Sequence, residues 1–146
     1  MKKKQIKIVI AIAFIVIALG SVYAYTEFNR KATSTKDLKS EFNTSAAELI
    51  VDFEKDSKSS NTKYLNKTIE VTGHIKTVED QAGTTIVLGD SIHSTSIRCS
   101  MDASFRAKTA YTNGQVITIK GIYTGFNADD LGIGSDIMIN KSIIKQ

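Results

Sequence analysis

Residues 67–78 read KTIEVTGHIKTV. Ile69, Val71 and Ile75 alternate with Glu70, Thr72, His74 and Lys76, which is the period of a half-buried strand. The run is about twice the usual strand length. Gly73 stands near its centre, and the apolar phase slips between Ile75 and Val78. A long strand with a central glycine and a phase slip predicts a bend or bulge, with Gly73 as the residue that turns.

Four further strand patterns come later in the chain: TTIVLGD (84–90), SIRCSM (96–101), QVITIKGIYTGF (115–126) and DIMINKSIIK (136–145). DQAG (80–83) supplies a turn, SIHSTS (91–96) and NADDLGIGS (127–135) are polar loops, and Asn113-Gly114 marks another turn. DASFRAKTA (102–110) reads as a short helix capped by Asp102. Ahead of the first strand, Ser45 followed by Glu48 is a capping box, and Ala46, Leu49, Ile50 and Phe53 fall on one helical face. DSKSSN (56–61) interrupts that helix, and TKYL (62–65) adds one more turn that packs Tyr64 and Leu65 under the sheet.

The order is helix, three strands, helix, two strands. It predicts a mainly β fold, a five-stranded OB-fold Greek-key barrel with an N-terminal helix and a short helix between its third and fourth strands. Such a barrel begins with a long curved strand that pairs in both halves of the sheet.

Residues 1–25 carry a different signal. Lys2, Lys3, Lys4 and Lys7 precede an apolar run from Ile8 to Tyr25. As a helix that run would be about 27 Å long, close to a hydrocarbon core of about 30 Å. The lysines should remain cytoplasmic, which places the rest of the chain outside. Two readings fit: an uncleaved transmembrane signal-anchor over residues 1–28, or a signal peptide cut near Ala24, with Val22 and Ala24 at the small-residue positions. In the first, Tyr23, Tyr25 and Phe28 sit at the outer interface, with Arg30 and Lys31 among the headgroups. Residues 29–44 are polar and read as a linker, and residues 45–146 form the barrel domain.

The formal charge of +4 and the pI of about 9.1 belong to this leader. Without its four lysines the chain has 15 basic and 15 acidic residues. A balanced domain argues against a nucleic-acid surface, which needs clustered cations. Residues 66–101 also contain no Phe, Tyr or Trp for base stacking. Phe105, Tyr111, Tyr123 and Phe126 lie later and read as core and barrel-end packing.

Catalytic constellations are missing from the pattern. Cys99 alternates with Ile97 and Met101 as a buried, inert thiol would. Two histidines and one cysteine do not make a zinc site. Asp129, Asp130 and Asp136 flank LGIG without the spacing of a calcium loop. Ser91, Ser94, Thr95 and Ser96 near His93 lack a nucleophile elbow. No metal or cofactor is expected.

The segments SAAELIVDFEKD, KYLNKTIEVTGHIKTVE, IRCSM, NGQVITIKGIYTGF and DIMINKSII together resemble the tRNA-anticodon-binding-like OB-fold family over about residues 45–145. The resemblance implies a small bacterial protein, commonly with an N-terminal membrane segment. It carries no catalytic residues and no established activity. The expected function is a non-enzymatic, extracytoplasmic binding or adaptor module on the cytoplasmic membrane, held through residues 8–25. Its ligand would be a peptide, protein or glycan, met by Thr72, His74, Lys76 and Arg98 on the face of the first three strands. The alternative is a single-stranded nucleic-acid-binding barrel, which the missing aromatics and balanced charge disfavour.

Overall fold

The structure, a computed structural model, describes residues 3–28, 34–80, 83–106, 110–129 and 134–145. It divides into two units, Met1–Thr33 and Ser34–Gln146.

The described residues of the first unit form one helix, α1 (Lys3–Phe28). Its serine and threonine hydroxyls are satisfied within the helix: Ser21 Oγ donates to Ile17 O at 2.8 Å and Thr26 Oγ1 to Tyr23 O at 2.9 Å. Among the described residues no helix is long and apolar enough to cross a membrane. The side chains of residues 1–11 and 14, which make up part of the apolar run, lie outside the described ones. The transmembrane reading of residues 8–25 is therefore carried by the sequence and not by the structure. Arg30 and Lys31 also lie outside the described residues.

The second unit opens with β1 (Phe42–Ser45), followed by α2 (Ala46–Lys55), α3 (Ser57–Tyr64) and β2 (Thr68–Asp80). The barrel is completed by β3 (Thr84–Leu88), β4 (Ser96–Met101), β5 (Val116–Asn127) and β6 (Asp136–Lys145). Strand pairing runs β2-β3-β4-β6-β5 and returns from β5 to β2, so the five strands close into a ring. β4 and β6 pair in parallel; the other four pairings of the ring are antiparallel.

β2 closes that ring by changing partners. Thr68–His74 pair with β5 in unbroken register, Gly73 lying opposite Ile117. From Ile75 the strand pairs with β3, and the register shifts between Ile75 and Thr77. The irregularity thus lies two to four residues beyond Gly73. The glycine serves close approach instead: a Cβ on it would stand 2.5 Å from Ala46 Cβ, at the start of α2.

That approach seats α2 across one end of the barrel. The capping box forms as expected, with Glu48 N donating to Ser45 Oγ at 3.2 Å and Ser45 N to Glu48 Oε2 at 3.1 Å. Ala46, Leu49, Ile50 and Phe53 join Ile69, Val71, Ile75, Ile97, Cys99 and Ile119 in one core. Burying each large aliphatic side chain contributes roughly 1.5–3 kcal/mol. Phe53 packs against Tyr123 and Phe126 at centroid distances of 5.5 and 5.1 Å. Those two aromatics are thus packing residues, as expected.

Three local expectations change. The interruption after α2 is a single residue, Asp56, whose carboxylate accepts from Ser59 N at 2.9 Å and caps α3; Tyr64 is buried but Leu65 is 41% exposed. The described part of 102–110 is not helical but an Asx turn: Asp102 Oδ1 accepts from the Ser104 amide at 2.9 Å, and Phe105 N donates to Asp102 O at 2.8 Å. Residues 107–109 of that segment lie outside the described residues, as do 81–82 of the turn at 80–83 and 130–133, Asp130 included, of the loop at 127–135.

The expected linker is the third. Residues 34–44 fold onto the barrel: β1 pairs in parallel with Ile69–Thr72, and Glu41 N donates to Thr68 O at 2.8 Å. Lys120, on β5 and only 7% exposed, donates from its ammonium to Leu38 O at 2.7 Å and Lys36 O at 3.0 Å.

Candidate functional site

The outer face of β2, β3 and β4 holds a cleft of about 630 Å³. Lys76 and Thr77 of β2, Val87 of β3, and Ser96 and Arg98 of β4 form its floor, and Asp136 opens β6 beside Arg98. The β3–β4 and β5–β6 loops make the rim through Ser94 and residues 127–129 and 134–135. Gly134 joins the two loops. Its φ is +107°, and a Cβ there would stand 2.7 Å from Ser94 O. Only glycine allows both the left-handed backbone and the approach.

Strand register brings the charges together. Arg98 lies opposite Val87 on one side and Met138 on the other. Its Nη2 donates to Glu79 Oε2 near the end of β2, and its Nε lies 3.9 Å from Asp136 Oδ2. Lys76 Nζ donates to the buried Ser96 Oγ at 3.0 Å. Burial holds the Asp136 carboxyl above the usual carboxylate range; Arg98 opposes this and Glu79 adds to it. The cleft therefore offers donors and acceptors side by side, not a one-sign field.

Of the four residues expected on this face, Lys76 and Arg98 line the cleft together. Thr72 and His74 lie elsewhere, beside β5. Thr72 Oγ1 and Thr118 Oγ1 are 2.8 Å apart, and His74 Nδ1–H donates to Gly114 O at 3.1 Å. Both border a separate, mostly apolar hollow of about 280 Å³ with Ala46, Ala47 and Val116. Simple alternation put all four on one surface; β2 changes partner from β5 to β3 after His74, which leaves Thr72 and His74 beside β5 and Lys76 beside β3. Glu79 was among the acidic residues set against Lys76 and Arg98 from the sequence; Ser96 and Asp136 were not singled out as their partners. Charged residues in alternating strands gave the only hint, and their register across β2, β4 and β6 is not local information.

Among the described residues no activated nucleophile or base is assembled here. Cys99 is fully buried, and burial pushes its thiol well above the ordinary range. His93 points away to α2 and its own loop: Nδ1 lies 2.9 Å from Asp90 Oδ2 and Nε2 3.9 Å from Glu54 Oε2. Among the described residues no group of three or more His, Cys, Asp or Glu side chains could hold a metal.

A barrel of this topology with a face cleft can be compared with known proteins. A crystal structure of a "putative nucleic acid-binding lipoprotein" from Klebsiella pneumoniae superposes with a TM-score of 0.56 at 18% identity, covering 71% of this chain and 91% of that one. The OBody AM3L09 bound to hen egg-white lysozyme gives a TM-score of 0.39 at 15% identity, covering 56% and 84%. No curated protein matches. The tRNA_anti-like family profile matches residues 1–133. That match runs from α1 through β5 and stops before β6, and it describes an OB-like binding fold and not a catalytic family: the chain belongs to the tRNA_anti-like family.

Proposed function

We propose that this protein is a non-catalytic OB-fold binding or adaptor module, held at the outer face of a bacterial cytoplasmic membrane through residues 8–25. Its ligand is a peptide, protein or glycan received in the cleft of Lys76 and Arg98. The observation that carries the reading is the cleft itself: donors and acceptors stand side by side around one apolar side chain, Val87, with no activated nucleophile among the described residues. Amide and hydroxyl ligands present the same mixture.

The membrane part rests on the apolar run and on α1, whose described large apolar side chains from Ile12 to Phe28 are 55–91% exposed. A helix apolar all round finds its counterpart in lipid. The lipoprotein among the similar structures agrees with an exported, membrane-associated location.

A second reading, single-stranded nucleic-acid binding, is favoured by the nucleic-acid binding ascribed to that same lipoprotein. The cleft opposes it with Glu79 and Asp136 against Arg98, and without an aromatic ring for stacking.

Spheroplast proteolysis tests the placement. Protease added outside should digest the barrel of the full chain, with the chain recovered in carbonate-washed membranes. A chain found soluble in the cytoplasm would overturn the proposal. A salt-dependent shift of labelled dT15 at micromolar protein would favour the second reading.

A further inference from the structure

A second cleft, of about 590 Å³, lies around the β4–β5 connection, the β6 end and residues 34–36. Its charges differ in kind from those of the first. Lys36, Arg106, Lys120 and Lys145 line it, and among the described residues no acidic one does. In a domain with balanced charge this is a concentration of one sign.

Two of these cations, Lys36 and Arg106, have no carboxylate partner among the described residues. Arg106 donates only to backbone, to Phe105 O at 2.7 Å and Ala103 O at 3.1 Å. The Lys36 ammonium meets no side-chain acceptor among those residues, and Lys120 uses two of its three N–H groups on the Lys36 and Leu38 carbonyls. Lys145 pairs with Glu70 at 2.9 Å, and the same carboxylate attracts Lys120, which lies opposite it in the β2–β5 register. Lys36 and Arg106 thus leave positive charge in the cleft that an anion there would balance.

The remaining wall is apolar: Ile143, Ile144 and the rings of Phe105 and Tyr111, whose centroids are 6.3 Å apart. Cations over an apolar wall suit an amphiphilic anion. Single-stranded nucleic acid needs cations tracking along an extended path, whereas here they share one hollow with two isoleucines. Ser34 and Lys36 are also the part of this unit nearest in sequence to the apolar leader.

We propose that this cleft binds the phosphate headgroup of an anionic phospholipid. The choice of lipid as the source rests on the proposed membrane placement; the anion chemistry does not.

The test is thermal unfolding of the full chain in neutral detergent, with dihexanoylphosphatidylglycerol, dihexanoylphosphatidylcholine, inorganic phosphate or dT15 at equal millimolar concentration. The expected result is a rise of about 3 °C or more with phosphatidylglycerol alone, the size produced by ligand at several times its Kd. Lys36→Gln/Arg106→Gln should abolish it and Lys36→Arg/Arg106→Lys should retain it. The charge-retaining pair guards against a variant that fails to fold, and neither pair alters α1. An equal rise with inorganic phosphate, a rise with dT15 only, no rise, or a rise that survives in the glutamine variant would each overturn the proposal. A cytoplasmic result in the spheroplast experiment would remove the membrane reading without changing this titration.

Discussion

Gly73 in β2 and Ala46 at the start of α2 meet so closely that a Cβ on the glycine would stand 2.5 Å from the alanine Cβ. The neighbour is a stub of side chain on a helix fixed by its capping box, so it has little room to yield. Gly73→Ala should cost about 1–3 kcal/mol by overpacking, and Gly73→Val more. Ala46→Gly alone should cost under about 1 kcal/mol. Introduced into Gly73→Ala it should recover part of the loss, giving a coupling above about 0.5 kcal/mol in a urea-denaturation cycle. Strict additivity would show that the two residues do not meet.

At the rim of the first cleft, Gly134→Ala should cost about 1–3 kcal/mol, because the residue must keep φ near +107° and displace Ser94 O. Hydrogen exchange should accelerate in the two rim loops before the barrel strands. An unchanged urea midpoint would refute the contact.

Lys120→Met removes a buried charge but leaves the Lys36 and Leu38 carbonyls without their donor. Lys36 is exposed and Leu38 half-buried, so the cost stays toward the low side of the about 1–3 kcal/mol of a buried unpaired acceptor, and loss of the ammonium's own desolvation offsets some of it. Limited proteolysis should cut faster between residues 34 and 41 while the barrel fragment persists. Equal cleavage rates would show that the lysine does not hold this segment.

Two carboxyls should make opposite contributions to acid stability. Asp90 is drawn down to about 2 by the His93 amide, then by the His93 ring and the Ile92 amide. Its native-state advantage is full above its ordinary value near 3.8 and is lost as pH falls toward 2. Asp136 is raised by burial, so its contribution is present below the ordinary value and is lost as pH rises through the native one. Thermal unfolding between pH 2 and 6 should therefore show a shallower acid limb in Asp90→Asn. In Asp136→Asn the same limb should steepen. Carboxyl NMR titration checks both directions, with Asp90 titrating below Asp136; the reverse order would contradict the geometry.

The barrel strands were legible because alternation and turn residues are local signals. SIRCSM and DIMINKSIIK correspond to β4 and β6 at both ends. What was missed is set by tertiary partners. FNTS has one apolar residue and no strand pattern, yet it pairs with β2 because that edge is available. SKSSNTKY lacks a helical stripe; Asp56 caps it and the buried Ser60 and Tyr64 dock it. At the site, alternation identified Lys76 and Arg98 as outward residues but placed Thr72 and His74 beside them. β2 changes partner from β5 to β3 after His74, with the register irregularity following at Ile75/Thr77, so one alternating face borders two different neighbours. The sequence hinted at that irregularity through the phase slip, while Gly73 drew it to the wrong position.

Ile69–Thr72 are flanked by β5 on one edge and by β1 on the other. The backbone amides and carbonyls along this part of the barrel are thus already committed to the protein's own chain. A partner seeking to dock there by adding a strand would first have to evict residues 42–45, and with them the Glu41 amide from Thr68 O. Recognition on this side is left to side chains, whose identities can change from one protein to another while the main-chain framework stays the same.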